Sequence, residues 1–442
     1  MKVSLITRRV FVTVLIVATV ANVRAQGIEF NKTSTWAQIK AEAKKSNKYI
    51  FMDCYASWCV PCKKMDMTIY SQKEVGKYFN EHFISVKIQM DSSKGDNEEV
   101  RSWYKDAVGI NQQYRIEAYP SFLFFSPDGE LVHRAVGYQE VEDIIALAKE
   151  ALDPEKQFYG FVEKYRKGEK DYKVMAAMTQ TAKSLRKTAL ADSLMKDYIT
   201  NYLPTVKKKE IYRKENISFI ADYALTHPTS YLKQLFVMHG KKVDKIMGDN
   251  DYSNWLVVHA IHNEEVFPYL PQDTRDHSIP DWAKINNTIK EKYNSKVANQ
   301  VVLFGKMNFL KGRDWPSYTQ YTVLYIEKYG QHMDPFYLNG YANDLFLVND
   351  NAYVLEKALE WSSRCITILS SKNPVDSFDL SNNLDTKANI LYRLGRKEEA
   401  IRCEEKAVDI AMQLNNGLLL RTYPKILAKM KNEEPTWPDL SK

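Results

Sequence analysis

Two strand-length apolar runs with a helix-length stretch between them constrain this chain most. Lys48–Ala56 (KYIFMDCYA) and Phe83–Met90 (FISVKIQM) are suited to strands buried on both faces, and the sequence from Cys59 to about Phe79 reads as helix. A strand, a crossover helix and a second strand place the two strands parallel. Ahead of them, Thr33 and Ser34 offer N-caps for a helix that shows Trp36, Ile39 and Ala43 on one face and runs to Asn47. Beyond them, Asp91–Asn97 is loop-like and Glu98–Val108 reads as helix. Ser121–Phe125 and Glu130–Val136 are strands joined by Ser126–Pro127–Asp128–Gly129, whose turn chemistry predicts an antiparallel hairpin. Val141–Leu152 closes the unit as an amphipathic helix, and Asp153–Pro154 marks a boundary. The expected product is a compact α/β domain over residues 26–153.

At 442 residues the chain exceeds one ordinary core, so more than one domain is expected. Hydrophobic residues at 45% and charged residues at 26% match a globular protein. The formal charge is +7, and residues 1–25 contribute four of it through Lys2, Arg8, Arg9 and Arg24, with no acid. The remaining +3, with no basic patch interleaved with aromatics, argues against nucleic acid as a partner. The same 25 residues read as a cleaved export signal. Lys2, Arg8 and Arg9 form a positive start, Val10–Val20 is apolar but too short to span a bilayer, and Val23–Arg24–Ala25 offers a cleavage pattern. Export is the expectation, to the periplasm or cell envelope first and with secretion as the alternative, and the mature protein is expected to be soluble.

From Glu155 onward the strand signal largely disappears. Successive helical stretches are separated by similar breaks at Lys167–Gly168–Glu169, Lys311–Gly312–Arg313 and Leu394–Gly395–Arg396, as expected of stacked helical hairpins. Ala388, Leu391, Gly395, Ala400 and Ala407 resemble tetratricopeptide-repeat (TPR) spacing, and Ala358 and Cys365 form a weaker upstream echo. Residues 154–334 are therefore expected to be a degenerate helical region and 335–442 a TPR-like helical region.

Five cysteines are too few for a disulfide-stapled scaffold, and the odd number leaves at least one unpaired within the chain. Cys59 and Cys62 stand where the first crossover helix should start. Thiol chemistry needs a thiolate, and a helix N-terminus favours one through free N–H groups and its positive dipole end. Cys62 falls one turn after Cys59, close enough to close a small ring, and Pro61 fits a first turn. The pair could instead be half of a zinc site, but no second Cys-x-x-Cys or His-x-x-x-His completes four ligands. Cys54 reads as a packing residue on the opposite strand face, and Cys365 and Cys403 as buried helix residues whose mutual pairing stays open.

The stretch Phe51–Met52–Asp53–Cys54–Tyr55–Ala56–Ser57–Trp58–Cys59–Val60–Pro61–Cys62–Lys63 resembles the thioredoxin superfamily, and the resemblance extends over about Ile28–Leu152. It implies a thioredoxin-like fold and a redox-active Cys59–Cys62 disulfide. By it, Cys59 is the nucleophile, and Cys62, the more buried, resolves the mixed disulfide. Asp53 is a buried proton acceptor with Lys87 beside it, and Tyr119–Pro120 is a cis-proline loop. Gly137 matches a nearby glycine. Trp58, Tyr119, Pro120 and Ser121 are the expected substrate-binding residues, the last three through backbone beside the sulfurs. The alternatives are a surface acid at Asp53, a solvent-facing lysine at 87 and a plain packing role for Trp58.

Val60–Pro61 retains the proline of the thioredoxin motif, whereas an oxidising member more often carries histidine at position 61. Reduction or isomerisation of client disulfides is therefore preferred over oxidation. Client proteins with disulfides or thiols are the implied partners, together with a membrane-embedded or soluble electron donor, and no cofactor is expected. The competing reading is an adaptor whose TPR-like helices bind protein segments while the redox domain is secondary.

Overall fold

The computed structural model describes residues 27–32, 35–227, 229–271, 273, 276, 278–372, 376–414 and 416–437. The expected export signal over 1–25 and the candidate caps Thr33 and Ser34 lie outside the described residues. Two compact units divide at Tyr202–Leu203.

In the first unit a five-stranded mixed sheet runs in the order β1-β3-β2-β4-β5. The strands are β1 (Phe30–Asn31), β2 (Tyr49–Tyr55), β3 (Phe83–Gln89), β4 (Ser121–Phe125) and β5 (Leu131–Val136). As expected, β2 and β3 are parallel and β4 and β5 form an antiparallel hairpin; β4 also runs antiparallel to β2. Side chains alternate across β2. Ile50, Met52 and Cys54 face a layer built by α1 (Trp36–Ser46) and by the helices after β3, through Trp36, Ile39, Trp103, Ala107 and Ile110. Phe51 faces the other layer, with Met65, Ile69, Tyr70, Val75, Phe79 and Ile144.

Thr35 caps α1: its hydroxyl accepts from the Gln38 N–H while the Gln38 side chain accepts from the Thr35 N–H. The helix expected from Cys59 to Phe79 is interrupted. After α2 (Val60–Lys64) the backbone widens into a π turn at Met65–Ile69, breaks, and resumes as α3 (Lys73–His82). The Tyr70 N–H reaches back to the Met65 carbonyl, and the Tyr70 carbonyl accepts from the Ile28 N–H, 2.9 Å each. That second bond needs Gly27, where a Cβ would lie 2.2 Å from the Tyr70 oxygen. The helix expected at Glu98–Val108 is two pieces, α4 (Glu98–Ser102) and α5 (Tyr104–Tyr114), joined at the buried Trp103. Val141–Leu152 is helical as expected (α6).

Three further helices lie in this unit: α7 (Phe158–Arg166), α8 (Tyr172–Ser184) and α9 (Thr188–Asp197). His133 on β5 helps hold the first of them, because its Nδ1 accepts from the Phe158 N–H at 3.2 Å. Its Nε2 lies 3.7 Å from Glu150 Oε2. Burial pushes the imidazole down to about 4. The folded protein therefore resists protonation that the unfolded chain accepts, so this residue's contribution to stability falls as the pH drops from about 6.5 towards 4. The loss amounts to about 3 kcal/mol. His133→Asn, which retains an acceptor near Nδ1 without the titration, is expected to flatten that fall. Hydrogen exchange of β5 amides at pH 6.5 and 4.5 measures it, and equal pH sensitivity in both proteins would refute the assignment.

The second unit is helical throughout its described elements. Its last five helices, Pro335–Val348, Ala352–Ser370, Ser377–Arg393, Lys397–Gln413 and Leu419–Lys431, each pack against the next in sequence. Ala358, Cys365, Ala388, Ala400 and Ala407, all fully buried, let their backbones approach. The glycines at the three expected breaks, Gly168 in the first unit and Gly312 and Gly395 in the second, all have positive φ, between 78° and 88°. Cys365 and Cys403 are both free thiols; their sulfurs donate to the Pro335 and Leu384 carbonyls respectively. Among the described residues, no helix is long and apolar enough to cross a membrane.

Candidate active site

The run from β2 into α2 builds the centre. β2 ends at Tyr55, and the loop after it is anchored by Asp91, whose carboxylate accepts from the Ser57 N–H at 2.9 Å and the Ser57 hydroxyl at 2.5 Å. Cys59 then occupies the N-cap of α2 with extended backbone. Its Sγ accepts the Cys62 N–H at 3.1 Å, so a sulfur stands where a capping oxygen ordinarily would. Cys59 and Cys62 are joined in a disulfide, with Cα atoms 5.3 Å apart. The expectation that Cys62 is the more buried does not hold, since each residue is 2% exposed. What separates them is position at the helix mouth.

Ala56, Tyr55 and Tyr119 pack against the two cysteines. Trp58 projects outward, 68% exposed, and meets the Tyr119 ring edge-on at 5.8 Å between centroids. The Tyr119–Pro120 bond is cis. Of the three residues expected to offer backbone to a substrate, two are already engaged. The Pro120 carbonyl accepts from the Gly137 N–H at 2.9 Å, and Ser121 is in register with both Cys54 and Val136 inside the sheet. The Ser121 hydroxyl turns inward to the Ala118 carbonyl, 2.7 Å away. Among the described residues, the main-chain N–H and C=O of Tyr119 have no such partner.

Asp53 is fully buried, two residues from Phe51 on the face that Met65, Ile69 and Tyr70 cover. Burial raises its carboxyl to about 7, against the opposing pull of Lys87 and the Tyr70 hydroxyl. Lys87 stands opposite it on β3, with Nζ 3.9 Å from Asp53 Oδ2. The same ammonium pairs with Asp66 and lies 4.6 Å from the centre of the Tyr55 ring. Cys54 points into the other layer, where burial pushes its thiol far up and leaves it inert. Tyr55, Asp66, Tyr70 and Asp91 were not singled out from sequence. Tyr55 alone had a signal, two residues beyond Asp53 on the same strand face. Among the described residues, no three or more His, Cys, Asp or Glu side chains gather to hold a metal.

A disulfide capping a helix over a mixed sheet, with a buried acid on the strand that leads into it and a cis-proline loop whose tyrosine packs against the cysteines, defines a thiol–disulfide redox domain. The chain belongs to the thioredoxin-like family, and the family model described as a thioredoxin-like domain matches residues 36–152. Thioredoxin H-type from Fagopyrum esculentum is 31% identical over 127 residues, 29% of this chain and 93% of that protein. The thiol:disulfide interchange protein DsbD from Colwellia psychrerythraea is 31% identical over 130 residues, 28% of this chain. This chain spans only 20% of that DsbD and 49% of thioredoxin-2 from Pyricularia oryzae. Among solved structures, a putative disulphide-isomerase from Bacteroides thetaiotaomicron is 28% identical, covers 29% of this chain and 95% of its own, and has a TM-score of 0.24.

Proposed function

We propose that the chain is an exported thiol–disulfide oxidoreductase that uses Cys59 and Cys62 to reduce or isomerise disulfides in client proteins. The observation that carries this reading is the Cys59 sulfur at the mouth of α2, accepting the Cys62 N–H. The same contact and the helix dipole favour a thiolate once the pair is reduced. That thiolate attacks one sulfur of a client disulfide; the client S–S bond breaks, and its other sulfur leaves as a thiol after taking a proton. Asp53 then accepts the Cys62 proton, and the Cys62 sulfur attacks Cys59. The second client sulfur departs, the client has gained two electrons and two protons, and Cys59–Cys62 is a disulfide again. A dithiol-bearing donor protein resets the pair. In isomerisation the released client thiol attacks another client disulfide instead.

Lys87 limits the charge left beside Asp53, and the exposed Trp58 and the free main-chain groups of Tyr119 receive an extended client segment as an added strand. Pro120 holds that loop beside the sulfurs. Export rests on the pattern of residues 1–25, and a periplasmic or envelope site follows from it.

The test is the equilibrium potential of the Cys59–Cys62 pair against a glutathione buffer. Thioredoxin sits near about −270 mV and a strong oxidant near about −120 mV. A value in the reducing half is expected, and one near the oxidant would reverse the direction of electron flow.

A second role for the helical unit is supported by a cavity of about 540 Å³, lined by Asn339, Asn343, Asn382 and Asn383 beside the exposed Phe336 and Tyr337. In that reading the helices hold client segments as an adaptor.

A further inference from the structure

Helices α7 and α8 pack on β5, and in doing so they help enclose a cavity of about 730 Å³ within the sheet-bearing unit. Its charge is one-sided. Arg115, Arg134, Arg186 and Lys187 line it, against the single acid Glu117. Arg115, Arg186 and Lys187 are exposed, and none of the three pairs with an acid among the described residues. Arg134 is 8% exposed; two of its guanidinium nitrogens donate to the Tyr114 and Arg115 carbonyls at the end of α5, and its Nε has no partner. Those two bonds cover carbonyls that would otherwise make the end of α5 repel an anion. Lys187, which also lines the cavity, immediately precedes α9, and that helix has no capping side chain and no acid in its first turn, so its positive end stays uncompensated.

The position of this cavity matters as much as its sign. Ala118, the residue before Tyr119–Pro120, lines it, and so does Val136, the register partner of Ser121. A polypeptide lying along the Tyr119 main chain therefore borders a cationic cavity lined by the redox fold and closed off in part by residues of the helices that follow it.

We propose that this cavity docks acidic side chains of the client polypeptide, in the segment flanking the cysteine that Cys59 attacks. The inference rests on the redox function proposed above and names the substrate class for that same site: clients whose cystine is flanked by aspartate or glutamate. The bound carboxylates replace the missing counter-charge, and steering by the cationic field raises the encounter rate.

The test uses the full chain and two disulfide-bonded peptides that differ only in having Asp/Glu or Ser/Gln beside the cystine. The acidic peptide is expected to be reduced with a kcat/KM about tenfold higher at low salt, with the advantage shrinking as salt is raised. Arg186→Asn combined with Lys187→Glu is expected to abolish the preference while leaving the neutral peptide's rate unchanged. Asparagine is chosen because Arg186 has φ +54°, a conformation asparagine tolerates. Equal kcat/KM for the two peptides, or an equal preference in the variant, overturns the proposal. Anisotropy of a labelled, cysteine-free acidic peptide separates the two claims. Binding that the variant loses, without turnover of either peptide, supports the docking site and sinks the redox reading; turnover of both peptides without binding does the reverse.

Discussion

Replacing Cys59 by serine is expected to lower dithiol-driven reduction of a client disulfide by at least about a thousandfold, because a hydroxyl offers no nucleophile comparable to a thiolate near neutral pH. Cys62→Ser is expected to behave differently. Cys59 still attacks, but nothing resolves the product, so a covalent complex with the client accumulates. It is visible as a shifted band on a non-reducing gel, and excess dithiol dissolves it. The contrast carries the information, because the two cysteines are equally enclosed and differ only in standing at the helix mouth or one turn inside it. If Cys62→Ser were inert and Cys59→Ser trapped clients, the assignment of nucleophile and resolver would have to be exchanged. If both variants kept full activity, the pair would not be the reactive centre.

The parts of the fold that were legible in sequence are those decided locally. β2 and β3 are continuous apolar runs, and Ser126–Pro127–Asp128–Gly129 dictates its own turn, so the parallel pair and the hairpin could be drawn in advance, but not the β2–β4 pairing that joins them. The break in the first crossover helix could not. At the break the Tyr70 carbonyl accepts from the Ile28 N–H, with Gly27 leaving room for that bond, a contact from a distant segment that no window around Cys59 contains. The short β1 strand was missed because two residues hold no period. The site divides in the same way. Cys59, Cys62 and Asp53 lie on one stretch, whereas Asp66, Tyr70 and Asp91 reach Lys87, Asp53 and Ser57 only through folding. Among the described residues, backbone hydrogen bonds engage Pro120 and Ser121 but not Tyr119, a distinction that residue identity alone cannot make.

Asp53→Asn is expected to make the sheet-bearing unit more stable and the enzyme slower. The folded carboxyl titrates near 7 because burial disfavours its charge, while the unfolded one titrates near 3.8. Between those values the native state holds a proton that the unfolded chain has lost, so stability declines as the pH rises through the window, and the cost is complete above it. Asparagine keeps the shape without the charge and avoids a penalty on the order of 4 kcal/mol at pH 8, a gain that vanishes below pH 4. Lys87 is not stranded by the change, since it keeps Asp66 as a partner. Hydrogen exchange of the β2 amides, compared at pH 8 and pH 4, reads the stability of this unit apart from the helical one. Turnover should fall by about a hundredfold at neutral pH through loss of the proton acceptor for Cys62. The two expected effects share one cause, because burial that makes the Asp53 carboxyl costly to ionise in the folded protein also sets it to take a proton near neutral pH in the proposed reaction. A variant that lost activity without gaining protection at pH 8 would show that Asp53 is not held in that buried, proton-retaining state.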